Sequence, residues 1–172
     1  MEFFRYIFLI FTLTGSTSVG FLISKRYSDR VRELNAFSNL INILQNKIKF
    51  THKPLGEILE ETATVKENTY ISEIFLKASK KLKNEKIEDA WNEAISEERF
   101  FLNLNNEDLN LIRTLGNVLG KTDIEGQMSE INQFNTLLNV QKKNSEEERN
   151  KNSKMCKSLG TIIGLAIVII LF

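Results

Sequence analysis

One histidine and one cysteine are all that this chain of 172 residues offers to nucleophilic, redox or soft-metal chemistry. His52 lies in the run His52, Lys53, Pro54, which supplies no second ligand and no partner to orient an imidazole, so it reads as a solvated loop histidine. Cys156 cannot close an internal disulfide, and structural zinc, which takes several Cys or His ligands, is excluded on ligand count. Beside an apolar stretch, Cys156 reads as an interfacial or buried thiol, with acylation as the alternative. Glu57, Glu60 and Glu61, and the later run of Glu146, Glu147 and Glu148, can be drawn as acid pairs for proton transfer. Charge runs at helical spacing are, however, the usual wet face opposite a core. The run LGNVLG, Leu115 to Gly120, lacks the lysine of a phosphate loop, and GxGxxG, a nucleophile elbow and HExxH do not occur. Trp91, in helical spacing with Ile87 and Ile95, is assigned to a core rather than to a ligand platform. No catalytic residue, metal ligand or cofactor is assigned, and the expectation is a protein that holds partners rather than an enzyme.

The elements that carry these residues follow from composition. Lys and Arg total 23 against 22 Asp and Glu, a formal net charge of +1, so no excess exists to neutralise nucleic-acid phosphates. Pro54 is the single proline, and glycines gather in the apolar ends and at turn positions, which is how a helical chain spends them. The expected class is all-α: an antiparallel bundle of about six helices between N- and C-terminal transmembrane helices.

Both ends are apolar. Residues 6–24, YIFLIFTLTGSTSVGFLIS, contain no charge, and as a helix they nearly span a hydrocarbon core of about 30 Å. A cleaved signal peptide is the competing reading, because Arg5 precedes the run and small residues follow at Gly15 to Ser18. Ser16 and Gly20 would also form a small-xxx-small patch for close helix packing. Residues 159–172, LGTIIGLAIVIILF, make a helix of about 21 Å, short for a span but opposed by no charge. Gly160 and Gly164 form a GxxxG pair that admits another membrane helix, and self-association through it would make the chain a homo-oligomeric plug. Lys25, Arg26, Arg30 and Arg32 follow the first span, and Lys151, Lys154 and Lys157 precede the second, so the positive-inside rule puts the middle in the cytoplasm.

Between the ends, Val31, Leu34, Phe37, Leu40, Ile41, Leu44 and Ile48 mark one long amphipathic helix that stops before Pro54. Further helices carry Leu55, Ile58 and Leu59, then Ile71 to Leu82, then Ile87 to Ile95. After the polar break FFLNLNNED a fifth runs from Leu109 to Leu119, with Gly120 as a left-handed stop. Thr122, Asp123, Ile124 and Glu125 match a capping box opening a sixth helix. From Gln141 to Lys154 that helix has no apolar stripe, which predicts a solvated stalk, helical or disordered. The expected layout is thus an anchor over 1–24, a cytoplasmic bundle over 25–140, a charged stalk over 141–157 and a second membrane segment over 158–172.

Several separated blocks resemble the stage III sporulation protein AB family: GFLISKRYSDRVREL after the first apolar run, HKPLGEILEE, DAWNEAI around Trp91, LGNVLGKTDIEGQ from Leu115 to Gln127, and KSLGTIIGLAIVIIL at the end. The resemblance implies the cytoplasmic helical domain of a type II secretion platform protein held between two membrane segments. It further implies a place in the channel between mother cell and forespore, in the mother-cell membrane around the forespore. The implied partners are a cytoplasmic secretion-type ATPase, stage III sporulation protein AA, together with other channel membrane proteins. Arg30, Arg32, Lys121 and Asp123 lie at helix ends or beside the membrane, where a docking partner could reach them. A membrane-bound sensor built on His52 and the acidic clusters is the alternative.

Overall fold

The computed structural model describes residues 2–51, 53–65, 69–120 and 123–171. Six α-helices occur in order: α1 (Glu2–Thr51), α2 (Leu55–Thr64), α3 (Tyr70–Lys81), α4 (Ile87–Glu98), α5 (Asn106–Val118) and α6 (Ile124–Leu171), with a 3-10 turn at Arg99–Phe101. No strand occurs among the described residues. The chain divides into two compact units, Arg32–Lys143 on one side and Met1–Val31 with Asn144–Phe172 on the other.

The larger unit is a bundle built around Phe37 of α1. Its ring lies 5.8 Å from Phe75 of α3, 6.4 Å from Trp91 of α4 and 6.1 Å from Phe134 of α6, so one side chain ties four helices together. The apolar stripe predicted from Val31 to Ile48 is buried throughout, as are Ile74, Ile95, Ile112 and Ile131 from the other helices. Each such side chain contributes about 1.5–3 kcal/mol on leaving water.

Local rules set the helix ends. Pro54 occupies the N-cap of α2 in an extended conformation, φ −56° and ψ 141°, where its missing N–H costs nothing. Thr69 and Ser72 form a reciprocal capping box at α3. Asn105 and Asp108 form another at α5, with the Asp108 amide donating to Asn105 Oδ1 at 2.8 Å and the Asn105 amide to Asp108 Oδ2 at 3.0 Å. Gly120, with φ +76°, turns the chain after α5 as the sequence predicts for a left-handed stop. At α6 the helix begins at Ile124, and the carboxylate of Asp123 accepts from the Gly126 amide at 2.9 Å. Asp123 therefore caps α6, and Thr122, the residue expected to open the capping box, lies outside the described residues.

α1 and α6 each run as one unbroken helix, of 50 and 48 residues, through the ranges assigned to anchors, stalk and bundle. The stretch expected to be a solvated stalk is helical, and from Asn144 onward it is grouped with the N-terminal part of α1. Polar side chains on α6 find partners on that helix there, which a search for an apolar stripe does not detect.

Candidate functional site

The first functional surface is the helix pair of the smaller unit. Ser16 donates from Oγ to the carbonyl of Gly160 at 2.7 Å, and Ser24 and Ser153 share a 2.6 Å hydroxyl hydrogen bond. Between them Gly20 and Gly160 meet backbone to backbone. A Cβ at Gly20 would lie 2.6 Å from the carbonyl oxygen of Cys156, and one at Gly160 would lie 3.0 Å from Gly20 Cα and 3.0 Å from the Ser16 carbonyl. A Cβ at Gly164 would lie 3.0 Å from Leu13 Cδ1 and 3.3 Å from Ser16 Cβ. All four residues assigned to membrane-helix packing, Ser16, Gly20, Gly160 and Gly164, are brought together here, and the partner of the GxxxG pair is α1 of the same chain.

The outside of this pair is apolar, with Phe8, Phe11, Leu22, Ile163 and Ile170 all exposed. Small residues inside and large apolar residues outside reverse the arrangement of a water-soluble helix pair and match packing in lipid, where no hydrophobic force drives helices together. The hydroxyls of Thr12, Thr14, Thr17 and Ser18 bond back to carbonyls four residues earlier, which satisfies them without water. Two helices are long and apolar enough to cross a bilayer, by length and composition: Ile7–Thr51 and Ile124–Ile170. Lys157 lays its ammonium 5.1 Å from the Phe21 ring, reaching along the pair rather than away from it. Arg30 donates to Glu148 at 2.7 Å and is only 5% exposed, so it holds the pair and cannot offer a docking charge. Arg32, by contrast, is exposed.

The second surface is the end of the bundle where α1 finishes. Here two sequence blocks about sixty residues apart meet: Leu55 Cδ2 lies 3.7 Å from where a Gly120 side chain would begin, and Ile87 Cγ2 lies 3.9 Å from it. A shallow cleft opens between them, lined by Ile48, Lys53, Leu55, Ile58, Ile124 and Gln127. Phe50, on the last turn of α1, is 69% exposed, and Asp123 is exposed on the neighbouring turn. His52 and Lys121 lie outside the described residues.

An ion cluster stiffens this end. Glu61 accepts from both Lys47 and Lys53, and Lys53 also meets Glu57 at 2.9 Å. Hydrogen bonding to Lys47 first, then to Lys53, pulls the Glu61 carboxyl down to about 2, while Glu61 and Glu57 raise Lys53. A carboxyl whose pKa is lowered on folding favours the folded state above its unfolded value, and that favour is lost as pH falls from about 4.5 toward 2. The cluster is half open to water, so the effect is modest and salt-sensitive. Thermal melts of the full chain in detergent should therefore drop between these pH values, and Glu61→Gln should flatten that drop; an identical acid profile for the variant would remove the cluster from the account.

Other polar anchors escaped the sequence reading. Glu33 accepts from the Asn103 amide and from its Nδ2, both at 2.8 Å, fastening the loop before α5 to α1. Lys77 bridges Glu98 at 2.7 Å and Glu97 at 2.9 Å, tying α3 to α4. Glu33 and Asn103 are seventy residues apart, and no short-range pattern links them. Among the described residues no group of three or more His, Cys, Asp or Glu is placed to hold a metal ion.

These features define an all-α protein with a compact helical bundle and a tightly packed pair of helices able to cross a bilayer. The chain belongs to the stage III sporulation protein AB family, whose model matches residues 5–172. Stage III sporulation protein AB of Bacillus subtilis (strain 168) is 26% identical over 164 residues, covering 94% of this chain and 95% of that relative. A solved structure of stage III sporulation protein AB superposes with a TM-score of 0.66 at 20% identity, covering 72% of this chain and 98% of that one, a likeness of fold.

Proposed function

We propose that the chain is a non-enzymatic membrane scaffold of a channel complex between mother cell and forespore, and that its bundle docks a cytoplasmic secretion-type ATPase, stage III sporulation protein AA. The observation that carries the reading is the convergence of HKPLGEILEE and LGNVLGKTDIEGQ on one end of the bundle. Two of the blocks that resemble the family meet there around a cleft, and Phe50, two residues after the cleft-lining Ile48, is exposed. An exposed aromatic two residues after Ile48, which lines a cleft with Lys53, Leu55 and Ile58, has the make-up of a protein-binding hot spot. The basic flanks Lys25, Arg26 and Arg32 favour a cytoplasmic bundle, on the side where such an ATPase resides.

Copurification of the ATPase with the full-length chain tests this. Phe50→Asp should cut recovery by about tenfold or more, the loss expected of a hot-spot residue. Asp123→Asn keeps the helix cap and removes only the charge, so its smaller effect isolates the electrostatic contribution. Undiminished recovery with Phe50→Asp, or an extracytoplasmic signal from a reporter inserted beside Asp123, would end the proposal. The GxxxG pair offers no support for a homo-oligomeric plug, since α1 of the same chain already fills its groove.

A further inference from the structure

α1 loses its apolar hold on the bundle before it ends. Ile48 is its last buried residue, and Lys49, Phe50 and Thr51 are all exposed. What ties this last turn down is polar. Glu61 of α2 accepts from Lys47 through one carboxylate oxygen and from Lys53 through the other, so a single side chain clamps the end of α1 and the residue that leads into Pro54. Glu57 holds the same Lys53 ammonium at 2.9 Å. Thr51 closes the turn from within, donating from Oγ1 to the Lys47 carbonyl at 2.7 Å. Phe50 lies between those two residues in the chain, and a clamp on Lys47 is therefore a clamp on the turn that carries Phe50.

Helix ends without buried side chains fray, and a surface that is in order only part of the time binds its partner more weakly in proportion. Holding such a surface in its bound arrangement beforehand strengthens binding without adding a contact. The clamp reaches the cleft as well. Lys53 and Ile48, the neighbour of Lys47, both line it, whereas Glu61 is not among its lining residues. We infer that Glu61 is a positioning residue of the docking surface, acting through Lys47 and Lys53. It fixes the last turn of α1, with Phe50 on it, and the two cleft-lining residues Ile48 and Lys53 in the arrangement the partner meets, and it touches no partner itself. This rests on reading the Phe50 end of the bundle as the surface that docks the ATPase. Both ion pairs are partly open to water, so each changes an affinity by a small factor rather than by orders of magnitude.

The test measures binding of the purified ATPase to the full-length chain in detergent at neutral pH, well below the melting temperature of every variant. Glu61→Gln should weaken binding about three- to tenfold, and the loss should fall on the association rate, because fewer encounters find the surface in order. In a chain carrying Lys47→Met and Lys53→Met, the same Glu61→Gln change should alter binding by less than about twofold, since the carboxylate then has nothing to hold. A brace that served stability alone would lower the melting point and leave the association rate where it was, so a rate unmoved by Glu61→Gln overturns the inference. Losses of equal size in both backgrounds also overturn it, by showing that Glu61 meets the ATPase directly. Phe50→Asp separates the two failures. Binding lost with Phe50→Asp but untouched by Glu61→Gln sinks only the positioning role, whereas binding that survives Phe50→Asp removes the docking surface and the inference with it.

Discussion

Replacement of Trp91 by alanine is expected to destabilise the bundle by about 3–5 kcal/mol, enough to consume much of the stability of a body this size. Trp91 is fully buried, and its indole N–H donates to the Ile112 carbonyl at 2.9 Å, joining α4 to α5. Its ring meets Phe75 edge-on at 5.1 Å and fills the space that Gly116 leaves open, since a Cβ there would sit 2.9 Å from Trp91 Cδ1. Truncation thus opens a cavity between three helices and removes the hydrogen bond that joins α4 to α5, two costs that add. Trp91→Phe keeps most of the volume and loses only the donor, so it should cost about 1–3 kcal/mol. Thermal unfolding of the full chain in detergent, followed by far-ultraviolet circular dichroism, should show a melting point lower by roughly 10–20 °C for the alanine variant, with the phenylalanine variant between. A melting point unchanged to within a few degrees would remove Trp91 from the centre of the core.

Trp91 also shows where sequence reasoning succeeds. Its spacing with Ile87 and Ile95 placed it in a core, because helical periodicity reports which face leaves water, and burial of that face is what folds the bundle. The small residues Ser16, Gly20, Gly160 and Gly164 were legible as packing positions for the same kind of reason, though not as partners of one another. Pairing across more than a hundred residues leaves no periodic trace. The same limit hid Glu33 with Asn103, and Arg30 with Glu148: each is an ordinary charged residue locally, and only the fold gives it a partner. Packing within residues 144–157 is invisible to a search for an apolar stripe, because Ser145, only 1% exposed, and Ser153, hydrogen-bonded to Ser24, pack by being small. The Asn105–Asp108 cap was readable in principle, since an Asn three residues before an Asp is a capping signal, but the asparagine-rich tract around it reads as a loop.

Gly160→Leu is expected to separate the two long apolar helices. The added side chain would start 3.0 Å from Gly20 Cα and 3.0 Å from the Ser16 carbonyl, both backbone atoms that cannot swing aside as a side chain can. The helices must part or slide, and overpacking of this kind costs about 1–3 kcal/mol. In lipid no water waits to reward the separated faces or to penalise them, so the pair is held by close packing and interhelical hydrogen bonds, and losing the close approach loses both. The Ser16 bond to Gly160 goes with it, although the Ser16 hydroxyl can fall back on a carbonyl of its own helix, as Thr17 already does. Ser16→Ala should therefore have a small effect, about 0.6 kcal/mol, beside that of the leucine. The adjacent Ser24 and Ser153 hydroxyls, 2.6 Å apart, provide the readout. With Cys156→Ser in the background and cysteines introduced at both positions, mild oxidation of the full chain in membranes should join α1 to α6 rapidly. Gly160→Leu should slow that joining severalfold, Gly160→Ala less, and Ser16→Ala hardly at all. Equal rates in all four chains would show that the glycine faces do not meet, and the account of the spans as one packed pair would fall.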